Sequence, residues 1–225
     1  FNEGWVDVFE NNGKRTGAYS WGGVVCHPFV LLNYNESTHE IFTIAHELGH
    51  ALHTYFSSEK QPSQKADYEI FVAEIASTCN EVLLLKHLLK TAEGETRKYL
   101  LSYYLDMFRT TLFRQTMFAE FELVCHETAE KGIPLTLDKF KSIYREILLK
   151  YDGKDFAHCE GAELVGIRIP HFYNAFYCYQ YATGISAAIA LARKVISGGE
   201  KELNDYFTFL KSGGSRYPID ALRLG

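Results

Sequence analysis

The sequence predicts a mainly α-helical fold, a multi-helix domain with a small β-sheet near the N-terminus. From residue 37 onward, apolar residues recur at helical spacing almost throughout, and glycine and proline fall between the periodic segments. Strand patterns occur only in residues 1–35. Hydrophobic residues make up 47% of the 225 residues and charged residues 23%, which is typical of a globular protein with an ample core. We therefore expect one domain over residues 1–225, with its sheet in 1–35 and its helices in 36–225.

Two N-terminal segments have the residue pattern of strands. They are Lys14–Trp21 and Pro28–Asn35, separated by Gly22-Gly23, and Asn11-Asn12-Gly13 marks a turn before them. A sheet of two or three strands follows. An unpaired edge of such a sheet offers donors and acceptors to a peptide backbone, but the sheet could equally serve only to pack on a helix.

The helical segments follow one another with short polar breaks. The first covers about residues 38–57, and Ser37 with Glu40 forms a capping box at its start. Further helices are predicted at about 66–90, 96–131, 136–151, 172–197 and 201–211, with an ordered loop at 154–170. No final helix is predicted after Tyr217–Asp220.

Composition excludes two classes of partner. The net charge of −5 provides no basic footprint for nucleic acid and no polybasic membrane patch. The longest apolar runs, such as Val82–Leu85 and Ala187–Ala192, are too short to span a bilayer.

The five cysteines are scattered, odd in number and without a C-x-x-C pair, which favours reduced thiols over a disulfide framework. The chain starts at Phe1 with neither a charged n-region nor an apolar h-region, so no signal peptide is predicted. We expect a cytoplasmic protein, and a chain that begins within a longer parent.

The segment His46–His50 has the pattern H-E-x-x-H inside the first predicted helix. Residues four apart lie on one helical face, so both imidazoles can point at one ion. Glu47 is offset by about 100° and is better placed to reach a water on the metal. The pattern therefore predicts two zinc ligands, His46 and His50, with Glu47 as general base.

The surroundings of the pattern favour a metal site over a chance match. The histidines lie among isoleucine, alanine and leucine residues, and burying imidazoles there without partners is costly. Gly49 costs a helix interior about 1 kcal/mol relative to alanine, which is tolerable where another group must approach the backbone closely.

A zinc site of this kind needs a third protein ligand. His53 shares the helical face of His46 and His50, and Asp67 and Glu69 are acids near the start of the second helix. Glu74 is the strongest candidate because its neighbours in Ile70–Ala76 are all apolar, and a buried carboxylate needs a cation. Glu81, two turns further on, could accept a hydrogen bond from a ligand histidine or be an ordinary surface acid.

Four segments together resemble the thimet-oligopeptidase family of zinc peptidases, and within it the oligoendopeptidase F group. They are His46–His53, Phe71–Thr78, His27–Tyr34 and Ile169–Tyr177. The resemblance implies a zincin-type catalytic domain with one Zn²⁺ ion held by His46, His50 and Glu74, and Glu47 as general base. It also implies that His171 and nearby tyrosines contact the substrate and its transition state.

The tyrosines are assigned less directly. Related enzymes carry two tyrosines three residues apart, a spacing absent here. Tyr173, Tyr177 and Tyr181 step by four and would share one helical face, which favours Tyr177 and Tyr181. Aromatic core packing is the alternative.

The resemblance implies a zinc metalloendopeptidase that hydrolyses internal bonds of short oligopeptides. Family members are longer, with an N-terminal helical lobe closing over a channel, so this chain resembles a catalytic domain fragment whose partners are oligopeptide substrates and the missing lobe. The alternatives are a zinc carboxypeptidase or dipeptidase, or a peptide-binding fragment inactive without the lobe. Glu47 favours an enzyme, since a binding module would not need it.

Overall fold

The computed structural model describes residues 1–225, and 66% of them are helical, with a small three-stranded sheet near the N-terminus. The predicted fold class is therefore confirmed. The chain divides into two compact units, residues 1–101 with 184–225 and residues 102–183. The expectation of one domain over residues 1–225 stays a prediction.

The sheet contains β1 (Val6–Asp7), β2 (Tyr19–Gly23) and β3 (Cys26–Leu31) in the order β1-β3-β2. β1 runs parallel to β3, and β2 is antiparallel to it. The sequence suggested a turn at Gly22-Gly23. Both glycines instead belong to β2, and the chain reverses at residues 24–25. Gly22 lies within β2, and a Cβ there would lie 2.7 Å from Pro28 Cα, so this glycine permits close packing and does not form a turn.

Ten α-helices, one π-helical turn and two 3₁₀ turns form the rest of the structure. The helices are α1 (Thr38–Lys60), α2 (Ser63–Ala66), α3 (Ile70–Thr91), α4 (Gly94–Met107), α5 (Arg114–Glu130), α6 (Leu137–Asp152), α7 (Val165–Arg168), α8 (Tyr179–Ser197), α9 (Glu200–Leu210) and α10 (Pro218–Leu222). The π-helical turn is Phe108–Phe113, and the 3₁₀ turns are Ala162–Leu164 and Pro170–Tyr173. None of the helices combines the length and the apolar composition that a membrane span requires.

The observed elements differ from the predicted ones in several places, and the helix predicted from about residue 66 begins at Ile70. The helix predicted from residue 172 begins only at Tyr179, because Phe176 adopts a φ of 56°, in the left-handed region that a right-handed helix cannot include. The loop predicted at 154–170 contains a 3₁₀ turn and α7. The short helix α10 was not predicted; Pro218 stands in its first turn, where a missing N–H costs nothing.

In the first unit, α1 packs along α3. Ser37 caps α1 by accepting a hydrogen bond from the Glu40 N–H. The core side of α3 buries mostly apolar residues, namely Val72, Ala73, Ile75, Ala76, Cys79, Val82 and Leu85. At the crossing, a Cβ on Gly49 would lie 2.5 Å from Ser77 Cα and 2.7 Å from the Ala76 carbonyl oxygen. The two backbones can therefore touch only because residue 49 is glycine.

The second unit has its own core between α5 and α6. Its buried members include Phe118, Phe121, Ile143, Tyr144 and Ile147. The Phe121 and Tyr144 rings meet edge to face at 5.1 Å. The 3₁₀ turn Pro170–Tyr173 joins this core through Phe172, whose ring lies 5.5 Å from that of Phe121.

Candidate functional site

Three side chains of the first unit converge on one point. The Nε2 atoms of His46 and His50 lie 3.3 and 3.5 Å from Glu74 Oε2, and the potential ligand atoms of the three residues all lie within 4.8 Å of one another. Zinc bonds of about 2.0–2.1 Å at tetrahedral angles place ligand atoms about 3.3–3.4 Å apart. The three side chains therefore fit a tetrahedral zinc ion and would leave one coordination position open.

Regular helix geometry produces this convergence. His46 and His50 are one turn apart on α1, and their rings stand 4.9 Å apart. Glu74 lies in the second turn of α3 and reaches both because the contact at Gly49 brings the helices together. Ser77 Oγ lies 3.0 Å from the Glu74 backbone carbonyl oxygen and 3.3 Å from Glu74 Oε2, and its single proton can be donated to either acceptor.

Glu81 orients the first imidazole from its other side. Its Oε1 accepts a hydrogen bond of 2.6 Å from His46 Nδ1, which leaves Nε2 facing Glu74. Metal-ligating histidines commonly have such a carboxylate on the second ring nitrogen. Of the two interpretations that the sequence left open for Glu81, the structure shows a hydrogen-bond partner of His46 and not an ordinary surface acid.

The cluster favours positive charge at its centre. Burial alone would lower the pKa of His46, but hydrogen bonds to Glu74 and Glu81 outweigh it and raise that pKa to about 10. Burial opposes ionisation of Glu74, but hydrogen bonds to His46 and His50 hold its pKa well below the usual range. Without a metal, protonated His46 supplies the positive charge between the carboxylates. Metal binding would therefore release the proton of His46.

Glu47 stands beside the cluster without belonging to it. Its side chain is buried, and Oε2 has no hydrogen-bond partner in the protein. Burial raises the pKa of Glu47, although the neighbouring His46 and His50 oppose that shift. A carboxylate with a raised pKa and a free oxygen is suited to accepting and returning a proton.

The other candidate ligands are not part of this cluster. His53 is 1% exposed and stacks on the Tyr68 ring at 3.6 Å. Burial lowers its pKa to about 3, with a smaller contribution from His50. Asp67 and Glu69 are exposed and precede α3.

The second unit brings His171, Tyr177 and Tyr181 together. The His171 ring lies 5.6 Å from that of Tyr177 and 5.8 Å from that of Tyr181. The two tyrosine rings lie 5.5 Å apart, with their hydroxyls at 3.4 Å. Only Tyr181 lies on an α-helix, so the single helical face expected from the sequence does not exist. Tyr173 is 89% exposed. The role of the three residues in catalysis stays a prediction.

Two residues of structural importance near these groups were missed from the sequence. Ser77 could not be singled out, because a serine within a helix is common. Glu122 could have been, since it lies between Phe121 and Leu123 as Glu74 lies between apolar neighbours. Glu122 is 5% exposed and accepts a hydrogen bond of 2.6 Å from the Phe176 N–H.

Comparisons with known proteins agree with the resemblance noted in the sequence. The chain is 46% identical to oligopeptidase PepF of Bacillus subtilis over 220 residues, which are 97% of this chain and 33% of that protein. It is 45% identical to the chromosomal oligoendopeptidase F of Lactococcus lactis subsp. cremoris, over 99% of this chain and 37% of that protein. The chain therefore spans about a third of the length of these relatives.

A crystal structure of oligoendopeptidase F from Enterococcus faecium superposes with a TM-score of 0.71 and 41% identity, covering 83% of this chain and 34% of that one. The resemblance to the oligoendopeptidase F group is thereby confirmed. The model of Peptidase family M3 matches residues 1–224, and the chain belongs to that family.

Proposed function

We propose that this chain is the catalytic part of a zinc metalloendopeptidase that hydrolyses internal peptide bonds of short oligopeptides. One observation carries the proposal. Two imidazole nitrogens and one carboxylate oxygen converge with the spacing of a tetrahedral zinc site, next to the buried Glu47 carboxylate, which has an unpartnered oxygen. Membership of Peptidase family M3 and relatives named as oligopeptidases support the same assignment.

His46, His50 and Glu74 would hold the ion, and Glu81 would fix the His46 ring. When bound, zinc supplies a Lewis acid that polarises a peptide carbonyl and acidifies a water. The donor set of two nitrogens and one oxygen is common in catalytic zinc sites, in which three protein ligands leave an open position. We infer one zinc ion, and five free thiols support a reducing, cytoplasmic location.

Glu47 would act as the general base. Its carboxylate takes the proton of the attacking water and then delivers it to the leaving amine nitrogen. The raised pKa assists the first step because it makes the carboxylate a better proton acceptor. The buried position assists the second step because it keeps the captured proton away from bulk water.

His171, Tyr177 and Tyr181 would contact the substrate. Imidazole and phenol groups donate hydrogen bonds to a peptide carbonyl oxygen and to the oxyanion that develops from it. One donor of this kind is typically worth about 3–4 kcal/mol in the transition state. The hydroxyl separation of 3.4 Å is short enough for one phenol to orient the other.

The test uses an internally quenched, end-blocked peptide of about eight residues, with the full-length parent protein and with the 225-residue chain alone. We expect internal cleavage by the parent that a chelator abolishes and zinc restores. The same peptide with free ends is assayed beside it. Cleavage of the free peptide only near one terminus, with the blocked peptide left intact, would indicate a carboxypeptidase or dipeptidase. Zinc binding without cleavage by the short chain, beside an active parent, would show that the missing lobe is required.

The decisive variant is Glu47→Gln in the parent protein. It removes the proton acceptor but none of the three proposed ligands, so zinc content measured by elemental analysis should stay at one ion while turnover falls at least about 1,000-fold. Retained turnover would remove Glu47 from the mechanism. If the variant lost zinc, its inactivity could come from the missing metal and not from the missing base. That result would contradict the expectation that Glu47 transfers protons but does not hold the metal.

A further inference from the structure

Glu122 is a buried carboxylate that the proposed chemistry does not use. It lies on α5 and is 5% exposed, and Oε1 accepts a hydrogen bond of 2.6 Å from the backbone N–H of Phe176. Its second oxygen has no partner in the protein. A buried carboxylate with one hydrogen bond is costly to the fold. This cost suggests that Glu122 has a role that an apolar residue could not perform.

The residue held by Glu122 has an unusual backbone conformation. Phe176 has a φ of 56°, and only one other non-glycine residue of the structure has a positive φ. For a bulky aromatic residue this conformation is a genuine outlier, and such outliers concentrate at functional sites. The short hydrogen bond to Glu122 and the contact of the Phe176 ring with the His126 ring at 4.7 Å offset the strain.

The segment that contains Phe176 also carries the proposed substrate contacts. His171 lies five residues before it, and Tyr177 is the next residue. The segment is anchored at its start by Phe172, which packs on the Phe121 ring. A cavity of about 340 Å³, lined in part by Glu122, Phe172 and Tyr173, lies beside the same segment. The hydrogen bond from the Phe176 N–H to Glu122 therefore gives the segment a second attachment to α5, four residues after Phe172.

We propose that Glu122 is a positioning residue for the substrate-contacting side chains, because it clamps the Phe176 backbone to α5 and thereby sets where Tyr177 and His171 stand. This inference rests on the proposed function. It assigns Glu122 no contact with substrate. It predicts that the acceptor atom matters and that the charge matters much less, because a neutral amide oxygen can hold the same N–H.

The test compares three variants of the full-length parent protein. Glu122→Met keeps the length of the side chain but removes the acceptor, and Glu122→Gln retains an acceptor oxygen. Glu120→Met is the matched control, since Glu120 lies on the same helix and binds Lys150 at 2.5 Å and Tyr151 at 2.9 Å, away from Phe176. Glu122→Ala replaces Glu122→Met if the latter does not fold.

We expect Glu122→Met to lower kcat by about 10- to 100-fold with KM changed less than about threefold, because misplaced transition-state contacts act on kcat. Glu122→Gln should restore kcat to within about threefold of wild type, and Glu120→Met should leave it there. Hydrogen exchange of residues 171–178 should accelerate at least about tenfold in Glu122→Met alone. The exchange of α6 should remain unchanged in that variant.

Unchanged exchange of residues 171–178 in Glu122→Met, or a loss of kcat no larger than that of Glu120→Met, would overturn the inference. A parent protein that binds zinc but cleaves no peptide would instead overturn the proposed function. The exchange experiment separates the two failures, because it reports on the segment whether or not the protein is active.

Discussion

In the α1–α3 pair, the side chains of the metal cluster project from two regular helices that Gly49 allows to touch. In residues 170–178, by contrast, His171 and Tyr177 project from a segment without an α-helix. Ring contacts of Phe172 and Phe176 with α5, together with the hydrogen bond from the Phe176 N–H to Glu122, attach this segment to α5. In the first arrangement, close packing of the two backbones fixes the positions of the side chains, and such packing has few alternative states. The second depends on a few ring contacts and on the buried hydrogen bond from the Phe176 N–H to Glu122, beside a cavity. We therefore expect the first to fail under added volume and the second under loss of an acceptor.

Among variants that change only the packing of α1 on α3, we expect the largest effect from Gly49→Ala. The new Cβ would stand 2.5 Å from Ser77 Cα, a backbone atom that cannot rotate away. Relief of that contact requires the helices to separate by about 1 Å, and a displacement of that size costs about 100-fold or more in kcat/KM. The peptidase assay and zinc content of the parent protein measure the outcome.

Gly184→Ala is the matched control for Gly49→Ala. Gly184 is also a helical glycine near Glu74, but its Cβ would meet the Glu74 Cβ at 3.6 Å, an ordinary contact. We expect kcat/KM within about threefold of wild type, and a gain in helix propensity of up to about 1 kcal/mol. If both alanine variants lost activity equally, close backbone contact at Gly49 would not explain the first result.

A smaller effect is expected from Glu81→Gln and Glu81→Leu. Glu81 binds the far nitrogen of His46 and is not one of the three proposed ligands, so its loss leaves those ligands in place but frees one ring to rotate. Loss of such an outer carboxylate typically weakens metal affinity about 10- to 100-fold. Competition with a chelating dye measures the zinc affinity directly. Equal affinity in Glu81→Leu and wild type would show that helix geometry alone orients His46.

The same comparison explains what the sequence could and could not predict. The spacing of His46 and His50 places them on one face of any α-helix, and the apolar neighbours of Glu74 indicate burial, so both depend on local rules. No local sequence rule predicts the positive φ of Phe176, because aromatic residues rarely adopt this conformation. Its partner Glu122 is 54 residues distant in the chain, and the pairing exists only after α5 has folded. The helix predicted through residues 172–178 failed for this reason.

The smallest expected effect is a dependence of stability on pH in the first unit, where His53 is buried against Tyr68 and Phe209. None of the histidines in the second unit is buried. The pKa of His53 is about 3 in the fold and about 6.5 in an unfolded chain. Between these values the unfolded state binds more protons, so the stabilisation is complete above pH 6.5 and is lost as pH falls toward 3.

At pH 5.5 the loss from His53 amounts to about 1.4 kcal/mol of the free energy of unfolding, since that pH lies one unit below the unfolded pKa and each unit within the window costs about 1.4 kcal/mol. His53→Phe retains an aromatic ring against Tyr68 but cannot titrate, so its stability should fall less between pH 7 and pH 5.5 than that of wild type. Denaturant unfolding at the two pH values gives the difference. Overpacking by the larger ring could lower stability at both values, but it would not change their difference. An equal fall in both proteins would mean that His53 is not the group that makes the α1–α3 region sensitive to acid.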